Sequence, residues 1–233
     1  MTQHGIEETF APLVTHWSDV REAHGPGAER ARGLLLCRYY GAARRYLVRV
    51  LHDPDAADEL ANEFAVRFLD GDFRRADPSK GSFRDYLRAA LRNLARDYWK
   101  GKGRPVLPAL DGPDADPFPE SWREELLHQT YRALLREQER SGTPYHTILS
   151  FKAANPKVHA REMAPLLGQQ LGRPFTEEAV RKALQRARER FAELLLDEVG
   201  RALGTDDLDA IERELAELEL LDFCKKAVEK RRQ

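Results

Sequence analysis

Between Ser82 and Lys100 the sequence SFRDYLRAALRNLARDYWK places Arg84, Arg88, Arg92, Arg96 and Lys100 four residues apart, opposite Phe83, Leu87, Ala90, Leu91, Leu94 and Tyr98. Apolar residues at that spacing predict an amphipathic helix with one face in a core. A step of four residues overshoots a full turn by roughly 40°. The five cations therefore spread over a broad curved face. Ser82 is placed to cap the helix, with Asp85 three residues on, and Gly101 and Gly103 are placed to end it. Few acids share this face, and Tyr86, Tyr98 and Trp99 lie among the cations. An ordinary solvated face is one reading. The other is a surface for a nucleic-acid strand whose unstacked bases lie against guanidinium and aromatic groups.

Punctuation elsewhere predicts an all-α chain. Asp53 as cap, Pro54 at the first helical position and Gly71 past the end bracket a helix over Pro54–Asp70. Residues 101–119 (GKGRPVLPALDGPDADPFP) are rich in Gly and Pro and read as a linker. Further on, His159–Gly168 and Thr176–Arg188 read as helix, turn, helix. Thr176 is the N-cap of the second helix, and Glu177 and Glu178 suit its positive end. Gly168 and Gly172 compete as the turn glycine, and Pro165 falls inside the first helix. Val180, Ala183, Leu184, Ala187, Phe191, Leu194 and Leu195 form the expected buried stripe. Arg181, Lys182, Gln185, Arg186 and Arg188 are left to reach a major groove and its phosphates.

The order of these segments carries a resemblance. The run from Phe73 to Leu87, with Asp77-Pro78-Ser79-Lys80-Gly81-Ser82-Phe83 at its centre, followed by Leu91-Arg92-Asn93-Leu94-Ala95-Arg96-Asp97, resembles the promoter-melting segment of bacterial sigma factors of the extracytoplasmic-function (ECF) type. Upstream, Asp58-Glu59-Leu60-Ala61-Asn62-Glu63-Phe64 resembles the acidic signature with which that family docks on core RNA polymerase. Asn62 stands where Gln is usual, and Ala65 where a second aromatic often sits. The segment from His159 to Arg188 resembles the family's C-terminal minus-thirty-five-reading domain, with a longer turn than is usual there.

The resemblance implies a sigma factor that brings core RNA polymerase to specific promoter DNA and assists melting. It implies polymerase binding by Asp58, Glu59, Asn62 and Glu63. It places the minus-ten strand on Lys80, Ser82, Arg84, Arg88, Arg92, Asn93, Arg96, Trp99 and Lys100, and the minus-thirty-five element on Thr176, Arg181, Lys182, Gln185, Arg186 and Arg188. An anti-sigma factor or a regulatory kinase is a further partner of the kind the family uses. The organisation expected is an N-terminal segment without assigned role (1–27), a polymerase- and minus-ten-binding helical domain (28–103), a linker (104–124), a helix-turn-helix domain (125–203) and an acidic helical extension (204–233). A conventional helix-turn-helix regulator on duplex operator DNA would use only the second domain, and a helical adaptor for protein partners would use neither DNA surface.

Charge supports an interaction protein with opposed patches. The net charge is −1 over 233 residues. From Arg74 to Arg104, however, ten cations face three acids, and from Asp206 to Asp222 eight acids face one cation. Within the acidic stretch Leu208, Ile211, Leu215, Leu218, Leu221 and Phe223 predict an apolar helical stripe, ending in Lys225, Lys226, Lys230, Arg231 and Arg232. This extension suits either a cap on the C-terminal domain or a screen over a basic surface. The two cysteines, Cys37 and Cys224, have no redox or metal spacing, and the seven histidines form no metal-ligand pattern. No phosphate-cradling glycine loop, catalytic constellation, secretory leader or membrane-length apolar run stands out. The expectation is a cytoplasmic protein without enzymatic activity, metal or cofactor.

Overall fold

The computed structural model describes residues 29–71, 83–103 and 116–233, and every regular element among them is a helix. In chain order these are α1 (Glu29–Leu51), α2 (Pro54–Asp70), α3 (Phe83–Gly101), α4 (Phe118–Ser141), α5 (Tyr145–Ala154), α6 (Ala160–Leu171), α7 (Glu177–Leu203), α8 (Leu208–Glu217) and α9 (Leu221–Arg232). The expected loop 77–82, with Lys80 and Ser82, lies outside the described residues, as do residues 1–28 and 104–115.

Local chemistry sets the helix ends. Asp53 accepts hydrogen bonds from the Asp55 and Ala56 N–H groups (both 3.1 Å), with Pro54 in the first turn of α2. Gly71, at φ 86°, closes that helix in a left-handed conformation that a side chain would resist. The result is an α1–α2 hairpin, with α3 packed across both helices. Tyr39, Tyr46, Leu47, Leu60, Phe64, Phe68, Leu87 and Leu91 are among its buried side chains.

The second half is organised by α7, which runs 27 residues and packs against α4, α5, α6, α8 and α9. Its stripe of Val180, Leu184, Ala187, Phe191, Leu194 and Leu195 is buried, with Ala183 half-buried. The two halves meet where α1 lies on α4. Tyr39 stacks on Trp122 (5.3 Å between ring centroids, planes 19° apart), and Phe118 meets Tyr46 edge-on at 5.7 Å. Such aromatic pairs contribute about 0.5–1.5 kcal/mol beyond the area they bury. Arg45 pairs with Glu125, and Arg49 with Glu124 (2.6 Å) and the Ser121 hydroxyl (2.6 Å). Gly41 lets this happen: a Cβ there would overlap the Glu125 carboxylate.

Three expectations need correction. Residues 118–124, read as linker, form the first turns of α4, with Trp122 buried at its inner face. Prolines 117 and 119 suggest loop in a sequence, yet Pro at the start of a helix gives up no hydrogen bond. The acidic extension is two helices rather than one, broken at Glu219, which takes φ 58°. Phe223, expected in its apolar stripe, is 46% exposed and meets the Phe191 ring of α7 only edge-on at 5.9 Å, while Cys224, Ala227 and Val228 are the residues of α9 that are buried.

Candidate nucleic-acid interface

Helix α3 buries Phe83, Leu87, Leu91, Leu94, Ala95 and Trp99. The core face thus continues through the i+4 series 91, 95, 99, and Trp99, expected among the strand-binding aromatics, is 8% exposed and belongs to the core. Asn93 and Lys100 are exposed, while Arg96 and Tyr98 are half-buried.

The other arginines of that face are met by acids from far along the chain. Asp116, just ahead of α4, accepts from Arg88 Nε (2.5 Å) and Arg92 (2.9 Å) on one carboxylate oxygen, and from the Phe118 N–H (3.0 Å) on the other. Its side chain is 1% exposed. An unpaired carboxylate at that depth would cost about 3–5 kcal/mol, and the two guanidinium groups offset that cost. The neighbouring Tyr46 hydroxyl registers the same charge, since burial and the Asp116 carboxylate push its pKa up to about 12. One turn earlier, Arg84 pairs with Glu214 and Glu217 (2.9 Å) of α8. Glu214 also accepts from the Trp122 indole N–H (3.0 Å). Burial works against the Arg84 charge, but the two glutamates outweigh it and hold the guanidinium above its ordinary value. For Glu214 burial dominates, and its carboxyl is pushed above the usual carboxylate range. Sequence reasoning raised the extension as a screen over a basic surface but singled out neither Asp116 nor Glu214 as a partner. Their only signal was acidity in the linker and in the extension.

Beside this surface, α2 presents Asp58, Glu59, Asn62 and Glu63 on its outer side, continued by Val66 (58% exposed) and Leu69 (42%). Arg44 forks onto Asp58 (2.6 and 3.2 Å), and the Tyr40 hydroxyl donates to Asn62 Oδ1 (3.0 Å). Both hold acceptors of this face in fixed positions. Glu63 pairs one turn along with Arg67. No pattern in the sequence pointed to Arg44 or Tyr40.

The segment read from the sequence as helix, turn, helix forms α6 and α7. Thr176 caps α7 by accepting from the Ala179 N–H (3.1 Å), and the Glu162 carboxylate accepts from the His159 N–H (2.9 Å) at the start of α6. The two glycines divide the turn between them. Gly172 takes φ 65°, while Gly168 lets the returning chain approach, since a Cβ there would meet the Arg173 carbonyl oxygen at 3.3 Å. Arg181, Lys182, Gln185, Arg186 and Arg188 are all exposed. Among the described residues, Arg181 and Lys182 pair only with Glu177 and Glu178, one turn back on the same helix.

With this geometry in place, residues 35–105 match the family described as Sigma-70 region 2, a span of less than half the chain that covers most of α1 and all of α2 and α3. The match supports a sigma-70-type RNA polymerase sigma factor, with a general role in binding RNA polymerase and melting promoter DNA. No curated protein and no solved structure matches the chain. Among the described residues no group of His, Cys, Asp and Glu could hold a metal ion, and no helix is long and apolar enough to cross a membrane.

Proposed function

We propose that the protein is a sigma factor of the ECF type, which directs core RNA polymerase to a restricted set of promoters and helps to open the DNA. The observation that carries this reading is the match of residues 35–105 to Sigma-70 region 2, a span in which α2 carries Asp58, Glu59, Asn62 and Glu63 away from the core and α3 carries arginines at four-residue steps. Asp58, Glu59, Asn62 and Glu63 would dock on polymerase. Arg84, Arg88, Arg92 and Arg96 would hold the backbone of the melted strand, and Asn93 would touch its bases. Unstacking a base costs a few kcal/mol, which contacts to polymerase and phosphate must offset. The exposed Arg181, Lys182, Gln185, Arg186 and Arg188 would read the upstream element in duplex form. The protein would act in the cytoplasm without catalysing a reaction of its own.

Run-off transcription with core RNA polymerase on a genomic promoter library tests this. Defined start sites are expected with wild type, fading in Asp58→Ala/Glu63→Ala and in Arg88→Ala/Arg92→Ala. Absence of polymerase binding, together with tight duplex binding by the free protein, would overturn the reading in favour of a conventional regulator.

A further inference from the structure

Resting on the strand-capture reading of α3, we propose that the free protein is closed against single-stranded DNA: the carboxylates of Asp116, Glu214 and Glu217 occupy Arg84, Arg88 and Arg92 in place of strand phosphates. Three features support an intramolecular substitute rather than incidental surface pairing. The acids come from two separate segments, the approach to α4 and helix α8, and converge on one face of one helix. The carboxylates of Asp116 and Glu214 are nearly inaccessible, at 1% and 6% exposure, so they are built into the closed form. Each also has a second anchor on α4, the Phe118 N–H for Asp116 and the Trp122 indole for Glu214, which aims it at the arginines.

The closure is reversible in principle, because carboxylate and guanidinium both regain water when they part, so a buried pair contributes little net stability. What resists opening is the aromatic seam of Tyr39 on Trp122 and Tyr46 on Phe118, which an isolated DNA strand has no means to separate. A partner that binds α2 and draws the α4 side away supplies that work. The cation face of α7 lies outside this closure, so duplex contact and strand capture are controlled separately.

The test compares full-length wild type with Asp116→Asn/Glu214→Gln/Glu217→Gln. Binding of fluorescently labelled single-stranded DNA 12-mers of mixed sequence is measured at fixed salt. The replacements keep the size and shape of each side chain and remove the charge. A gain in affinity of about tenfold or more is expected, equivalent to about 1.4 kcal/mol. The control Asp206→Asn/Asp222→Asn/Glu229→Gln removes the same charge from acids that touch none of these arginines, and should gain far less. Glu217 is 63% exposed, so Glu217→Gln alone keeps the fold and should still give part of the gain. Equal affinities for wild type and both neutralised forms would overturn the closed state. Transcription run in parallel separates the two levels. If Arg88→Ala/Arg92→Ala loses initiation while neutralisation gives no gain, the closure fails and the sigma reading stands. If wild type neither binds core polymerase nor initiates, the reading fails and the closure with it.

Discussion

Helix α3 and the first turns of helix α7 both carry basic residues on an amphipathic helix, yet these two sets of cations have opposite fates. Further along α7, Arg190 joins the distant Glu137 (2.7 Å) and belongs with the packing of α7 on α4. On α3, Arg84, Arg88 and Arg92 are 19%, 35% and 28% exposed, and their partners lie between 24 and 133 residues away. On α7, Arg181 and Lys182 are 71% and 65% exposed and, among the described residues, reach only acids four residues back. Exposed pairs of that kind contribute well under 1 kcal/mol and yield readily to phosphate. A cation-rich helix is thus not in itself an available surface. What matters is whether the acids that face it are local and solvated or distant and buried.

The largest test of this contrast is at Trp122, which both stacks on Tyr39 and holds Glu214. Trp122→Ala should lower stability by about 3–5 kcal/mol in chemical denaturation, and any folded fraction should bind single-stranded DNA more tightly with duplex binding little changed. Gly41→Ala acts on the same seam by driving the Glu125 carboxylate away from Arg45. Overpacking of this type costs about 1–3 kcal/mol, read as a shifted denaturation midpoint.

The docking of the extension on α7 can be followed through Cys224, whose burial pushes its thiol from 9.0 up to about 12. Between those values the unfolded chain releases a proton that the folded chain keeps. Rising pH therefore favours unfolding, by about 1.4 kcal/mol per pH unit from this group. Below pH 9 the contribution is absent, and Cys224→Ala should remove this part of the alkaline slope. In the native state a thiol reagent should modify the exposed Cys37 and spare Cys224.

The smallest stability effect belongs to α7. Arg181→Ala/Arg186→Ala should change stability by no more than about 0.5 kcal/mol. Duplex DNA binding should weaken, with a salt dependence shallower by about one for each phosphate that the variant no longer neutralises. A large stability loss would place these arginines in a buried network like that of α3 and erase the contrast.

Much of the fold was legible because it is written in local chemistry. Asp53, Pro54 and Gly71 bracket α2, Thr176 caps α7, and the apolar periodicity of α3 and α7 marks their buried faces. Misreadings arose where local signals are ambiguous. Pro-rich sequence served both as loop and as the first turn of α4, and a tryptophan among arginines suited a core as well as a nucleic-acid surface. In the extension, the chain breaks at Glu219, and in the second helix Cys224 is fully buried while Phe223 lies at the edge of the contact, half-exposed against Phe191.

Caps, glycines and apolar periodicity act within a few residues, so the ends of α2, the start of α7 and the apolar sides of α3 and α7 follow from local sequence. The sequence by itself also determined that strong positive and negative segments coexist in one chain. Which of them meet depends on how the helices pack. Glu214 reaches Arg84 across 130 residues of sequence because α8 packs on α7, α7 on α4 and α4 on α1. A charge has no preferred partner until packing brings one within a few ångströms and removes the water between them.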